Sequence, residues 1–141
     1  MASDPNDFIR SMGIATSGLR AQAGRMRVIS ENIANADSTA PIAGGDPYRR
    51  KVPTFSSALD RTLDAKVVTL GKIRPDQSAF RVRHEPNNPA ADAAGNVKYP
   101  NVNPLVEMTD MREAQRSYEA NLNIISATRR MIQRTLDILK A

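Results

Sequence analysis

The sequence predicts a mainly α fold: a long helix at each end of the chain and a small, loop-rich β insert between them. Three observations carry that expectation. From Pro104 onward no glycine or further proline interrupts the chain, and Met111, Tyr118, Ile125, Ile132 and Leu139 recur at a spacing of seven. Near the other end Phe8, Met12, Ala15, Leu19, Gln22, Met26, Ile29 and Ile33 alternate steps of four and three, the pattern of a helix packed along a seam. Between these segments, prolines and glycines punctuate short extended runs. The two seams are expected to face each other as a coiled-coil-like antiparallel pair. Residues 1–36 and 103–141 then form the inner helical domain, and residues 37–102 the insert.

In chain order, Ser3-Asp4-Pro5-Asn6-Asp7 reads as a helix start, with Asp4 as cap and Pro5 in the first turn. Gly13, Gly18 and Gly24 weaken this helix by about 1 kcal/mol each relative to alanine, which points to close helix contacts or to ordering on assembly. The helix runs out at Asn35-Ala36-Asp37, and a turn-rich stretch follows to Pro47. Tyr48 to Val52 resumes an extended pattern, and Pro53 makes it an edge or loop segment. Ser56 to Ala65 is read as a short helix. Lys66–Ile73 and Phe80–His84 are read as the two strands of a hairpin, turning at Arg74-Pro75-Asp76-Gln77. Residues 85–95 form a loop, and Val97-Lys98-Tyr99 is a short extended piece. Asn103 then caps the last helix, with Pro104 at its first position. At ~1.5 Å per residue that helix is a rod of roughly 50 Å. A second row, Met108, Gln115, Leu122, Arg129 and Leu136, completes its stripe, and Ile124, Met131 and Ile138 widen it. A face that wide implies more than one neighbouring helix.

Composition narrows the class. The chain has 141 residues, with aromatics at only 4% and no tryptophan, so part of its apolar surface is expected to be buried against other chains. There is no cysteine, hence no disulfide framework and no thiolate metal or redox site, and His84 is the single histidine. No run of about 18 apolar residues exists, so no membrane-spanning helix is expected. The basic-then-apolar pattern of a cleaved signal peptide is missing from the N-terminus. A net charge of +5 permits an acidic partner, but the charge is spread as a match between helices. Arg20, Arg25 and Arg27 would face Glu107, Asp110, Glu113 and Glu119 in an antiparallel pair. A basic coiled-coil nucleic-acid-binding protein, and a peripheral protein lying on anionic lipid through those arginines, are the competing classes.

No catalytic, metal or cofactor signature is present, so the chain is read as a non-enzyme. Arg81, Arg83 and Glu85 fall on one face of a strand and read as solvated. Asp60 and Asp64 stand one helical turn apart without a third ligand, and Gly44-Gly45 lacks the context of a phosphate loop. Arg49-Arg50-Lys51 reads as a solvated basic cluster, with contact to an acidic neighbour as its functional alternative. The residues that carry function are instead those of the seams. They are Met12, Leu19, Met26, Ile29 and Ile33 on the first helix, and Met111, Tyr118, Leu122, Ile125, Ile132, Leu136 and Leu139 on the second.

The first helix closes on Asn32-Ile33-Ala34-Asn35. This motif resembles the N-terminal signature of the axial proteins of the bacterial flagellum, the family of rod, hook and hook-associated proteins. Tyr48-Arg49-Arg50-Lys51, Val97 to Pro104, Glu107-Met108, Asp110-Met111 and Arg116 to Asn121 resemble the proximal rod branch of that family. Asn96 departs from an expected aromatic, and Thr39–Asp46 is a longer loop than the shortest members have. The resemblance implies a structural subunit of the proximal rod in the basal body, assembled helically through its terminal helices to transmit motor torque across the periplasm. Its implied partners are other rod subunits, copies of itself and the flagellar type III export apparatus, with no cofactor and no nucleic acid.

Overall fold

The structure, a computed structural model, describes residues 5–140, so the expected cap at Asp4 lies outside the described residues. Two long helices, α1 (Pro5–Ala34) and α2 (Pro104–Lys140), make up about half of the chain. Between them lie β1 (Lys51–Val52), β2 (Phe55–Asp60), β3 (Ala65–Leu70), β4 (Arg74–Pro75), β5 (Arg81–His84) and β6 (Asn96–Tyr99). The strands form three separate antiparallel pairs, β1 with β4, β2 with β3 and β5 with β6.

The helix ends follow the local chemistry. Asn103 caps α2: its side-chain oxygen accepts Leu105 N–H at 3.1 Å and its carbonyl accepts Glu107 N–H at 3.1 Å. At the end of α1 the Asn35 carbonyl accepts both the amide and the hydroxyl of Ser38, which turns the chain away without a glycine.

Two compact units divide the chain. The first contains residues 5–26, Thr54–Lys72 and 113–140. Its strands are the β2–β3 hairpin, which runs in register from Phe55↔Leu70 to Asp60↔Ala65. Ser56–Ala65, read from sequence as a short helix, is therefore a strand and a turn. The β-branched run of β3 offers Phe55–Asp60 a partner strand, and that tertiary pairing overrides the weak local preference of Ser, Ala and Leu. The turn needs Asp64 at φ 48°, a conformation aspartate tolerates. Asp60 closes it by accepting the amides of Thr62 and Leu63, so Asp60 and Asp64 serve the turn and not a pair of carboxylates on a helix.

The hairpin lies against α1. Leu63 packs on Gly13 and Leu70 on Gly24, where any Cβ would collide with the leucine methyls. Ser17 Oγ accepts Val68 N–H from the edge of β3 at 3.1 Å. Arg10 donates to the Leu63 carbonyl at 3.1 Å. Gly18 meets α2: a Cβ there would sit 2.8 Å from Asn121 Nδ2, while Asn121 itself donates to the Ser117 carbonyl. Leucine at position 18 is expected to destabilise the free chain by about 1–3 kcal/mol through overpacking, partly offset by better helix propensity. Urea unfolding reads this, and an unchanged midpoint would show that Asn121 swings aside freely.

The second unit contains Arg27–Pro53 and Ile73–Arg112. Its apolar core centres on Ala90, Val97 and Tyr99, with Val28, Ile29 and Val102 also buried. β5 pairs with β6 from Arg81↔Tyr99 to His84↔Asn96, and β1 pairs with β4 through Lys51↔Pro75 and Val52↔Arg74. The predicted hairpin between Lys66–Ile73 and Phe80–His84 is not formed. Each of those runs finds a closer antiparallel partner, β3 across a four-residue turn and β5 with Val97-Lys98-Tyr99. Gly95, at φ 78°, makes the return into β6 possible, and Asp92 Oδ1 fixes it by accepting the amides of Ala94 and Asn96.

Candidate functional site

In the second unit the signature asparagine is a structural hub. Asn32 is 1% exposed, yet every hydrogen-bonding group of its amide is used. Nδ2 donates to the Lys51 carbonyl at 2.8 Å and to Glu107 Oε2 at 3.0 Å. Oδ1 accepts the Tyr48 hydroxyl at 2.8 Å and Lys51 N–H at 2.9 Å. One side chain thus ties α1 to the segment ahead of β1 and to the first turns of α2. Alanine could not replace it without leaving several buried groups unpaired.

Glu107 is the second buried member, also 1% exposed. Its other oxygen accepts Arg50 Nε at 2.6 Å, and Arg50 reaches Asp76 at 3.6 Å and Asp110 at 3.9 Å. The basic triplet is therefore not a solvated cluster. Arg50 neutralises the buried carboxylate, Lys51 pairs with Glu31, and Arg49 stacks over Phe80 while donating to the Asp76 and Ser78 carbonyls. Asn101 completes the set by accepting Arg50 N–H and donating to Asp76 and Ser78.

Burial pushes the Tyr48 phenol up to about 12, and the Glu31 and Glu107 carboxylates push it the same way. The fold thus favours the neutral phenol. That stabilisation is complete below the ordinary tyrosine value of about 10 and is lost as pH rises through about 12. The Ser78 amide and hydroxyl hold the Asp76 carboxyl below its usual range, and the Arg50 guanidinium lowers it further.

Arg81, Arg83 and Glu85 also have partners within the second unit. Arg81 donates to the Ala36 carbonyl at 2.8 Å and the Pro100 carbonyl at 3.0 Å, Arg83 lies over the Tyr99 ring, and Glu85 accepts Tyr99 OH at 2.9 Å. Asn35 bonds back to the Glu31 carbonyl, Ile33 is half-buried and Ala34 is exposed. His84 is exposed, with Asn96 Oδ1 3.2 Å from its ring. Among the described residues, no group of three His, Asp or Glu side chains is placed to hold a metal ion.

The seam residues are placed unevenly. Ile29 is buried, and Met12, Leu19, Met26, Ile33, Met111, Tyr118, Ile125 and Ile132 are half-buried. Leu122, Leu136 and Leu139 are exposed at 42%, 45% and 77%. The row of α2 turned inward beside Met111, Tyr118, Ile125 and Ile132 is Glu107, Ala114, Asn121 and Thr128, also spaced by seven. A search for large apolar residues passes over that row, because small and hydrogen-bonded side chains fill it. Thr128, for example, is 3% exposed and returns its hydroxyl to the Ile124 carbonyl. In the first unit Gln22, on the α1 seam, has its Oε1 buried with no hydrogen-bond partner among the described residues.

Charge matching is narrower than the pattern implied. Arg25 reaches Glu113 at 3.5 Å, whereas Arg20 and Arg27 are exposed, and Arg50 engages both Glu107 and Asp110. The insert thus supplies a cation to both carboxylates. No helix among the described residues is long and apolar enough to cross a membrane.

An asparagine-closed helix, a polar clasp and a second helix left apolar on its outside define a class of assembly subunit. Residues 12–40 match the family described as Flagella basal body rod protein, and residues 93–138 match Flagellar basal body rod FlgEFG protein C-terminal. The chain is 53% identical over 128 residues to the flagellar basal-body rod protein FlgC of Agrobacterium fabrum, covering 91% of this chain and 92% of that one. It is 39% identical to FlgC of Bacillus subtilis, with 92% and 97% covered, and 37% identical to FlgC of Aquifex aeolicus, with 95% and 98% covered. This chain belongs to the FlgC family of flagellar basal-body rod proteins. That family is structural and not enzymatic.

Proposed function

We propose that the chain is a structural subunit of the flagellar proximal rod, built into the basal body through its two terminal helices and transmitting motor torque. Membership of the rod-protein family supports the role, and one observation carries the mechanism. The last turns of α2 leave Leu136, Ile138 and Leu139 exposed at 45%, 76% and 77%, aliphatic side chains that no described residue covers. Burying each fully is worth roughly 1.5–3 kcal/mol, enough to drive association when several are covered together.

In this reading the helical segments 1–36 and 103–141 form the inner layer, residues 37–102 lie outside it, and α1 and α2 run antiparallel. The opposite chain sense of the Gly18–Asn121 and Arg25–Glu113 contacts supports that pairing. With Glu113 open to solvent, the Arg25–Glu113 pair contributes only ~0.2–1 kcal/mol, so it sets register while the apolar rows supply the association. Seams Met12, Leu19, Met26, Ile29 and Ile33, and Met111, Tyr118, Leu122, Ile125, Ile132, Leu136 and Leu139, make the interface with other rod subunits and with further copies of this chain. The subunit reaches its place across the periplasm through the flagellar type III export apparatus. No observation favours a nucleic-acid-binding role.

Deleting the gene is expected to abolish motility and to leave basal bodies without a complete rod, with both restored by the intact chain. Motile deletion cells with normal basal bodies would refute the role.

A further inference from the structure

The β2–β3 hairpin has one covered edge and one open edge. On the covered side Val68 turns its N–H outward to Ser17 Oγ, and at the open end of the ladder Gly71 N–H donates to the Thr54 carbonyl at 2.6 Å. Bonded and non-bonded pairs alternate along an antiparallel ladder. With Phe55 opposite Leu70 and Ser57 opposite Val68, the residues of β2 that bond to β3 are Ser56, Ala58 and Asp60. Phe55, Ser57 and Leu59 therefore direct their N–H and C=O groups away from the hairpin, where no described residue takes them.

Natural edges of this kind are guarded by lysine, proline or a bulge. Phe55-Ser56-Ser57-Ala58-Leu59 has none of these, and its apolar side chains are open, Phe55 at 43% and Leu59 at 62% exposed. Such an edge accepts one thing well, another extended backbone. The strand also matches itself. Reversed about Ser57, Phe55 falls opposite Leu59, Ser57 opposite Ser57, and Ser56 opposite Ala58. The outward groups of Ser57 then meet their own equivalents and those of Phe55 meet those of Leu59, the aromatic and aliphatic side chains meet on one face, and Asp60 falls opposite Thr54 and not another carboxylate.

We propose that the open edge of β2 is a self-recognition site, at which a second copy of this chain adds its own β2 to make a four-stranded antiparallel sheet. The contact is two-fold and closes on itself, unlike the head-to-tail contacts that extend a polymer. It therefore belongs to subunits outside the rod, and it stands independently of the function proposed above. The matched Phe55 and Leu59 positions and the absence of opposed charge favour this occupant over an unrelated strand.

The chain has no cysteine, so a single introduced thiol reports the pairing. In the full-length chain, Ser57→Cys places two thiols directly opposite, with Cα atoms about 5.5 Å apart and within the range a disulfide spans. Under mild oxidation Ser57→Cys is expected to form a covalent dimer at least tenfold faster than Ser56→Cys, whose own equivalent lies elsewhere in the sheet. Adding Leu59→Lys should reduce that rate at least tenfold. Sedimentation of the unmodified chain should show a concentration-dependent dimer that Leu59→Lys lacks, an arm that does not depend on any cysteine variant folding. Equal rates for the two cysteines would overturn the proposal. So would an unmodified chain that stays monomeric at millimolar concentration, or a Ser57→Cys chain that in cells couples only to a different protein.

Discussion

Methionine in place of Arg50 is expected to lower the stability of the free chain by about 3–5 kcal/mol, the range for removing one partner of a buried ion pair. Glu107 is 1% exposed, and Arg50 Nε at 2.6 Å is its nearest cation, so the substitution leaves a carboxylate in the interior with only the Asn32 amide for company. Methionine keeps much of the arginine volume, so the loss reports charge and hydrogen bonding more than packing. Lysine at the same position should recover part of the stability, since it keeps the charge but not the planar array of donors that meets Glu107, Asp76 and Asp110. Urea unfolding of the three chains checks this. An Arg50→Met chain as stable as the parent would mean that the clasp does not hold the second unit together.

The other large effect is expected on assembly. Aspartate at Ile125 or Ile132 should abolish motility and leave the basal body incomplete. Both residues are already half-buried within the chain, and the remaining surface of each lies in the seam proposed to meet a neighbour. An unpaired carboxylate there would be desolvated in every subunit of the assembly. Arg129→Ala is the milder comparison, because Arg129 is exposed and its charge remains in water. Leu139→Asp separates assembly from folding: at 77% exposure its substitution has little to cost the free chain, yet it should still impair rod formation.

Much of the fold was legible in the sequence because long periodic segments announce themselves. The spacing of seven from Met111 to Leu139 and the Asn103-Pro104 start gave α2, and Asn35 marked the end of α1. Strand pairing was not legible. Nothing local tells Phe55–Asp60 that Ala65–Leu70 will pair with it, and Asp64 in a left-handed conformation carries no glycine to mark the turn. The clasp was half-legible. Asn32 stood out within its motif, but Glu107 read as one of four acidic partners for the arginines of the first helix. Its burial follows only once Arg50 arrives from a segment 57 residues away in sequence. Gly13 and Gly24 pointed to close helix contacts or to ordering on assembly, and the close contact they permit is with Leu63 and Leu70 of the hairpin.

Thiol accessibility measures directly whether neighbouring subunits in the rod cover the outer face of the terminal helices. In this cysteine-free chain, Leu136→Cys and Leu139→Cys should react readily with a maleimide in the free subunit, where both positions are exposed. In purified basal bodies that carry the same variants, both thiols should react at least tenfold more slowly. Equal reactivity in the free subunit and in the basal body would contradict it.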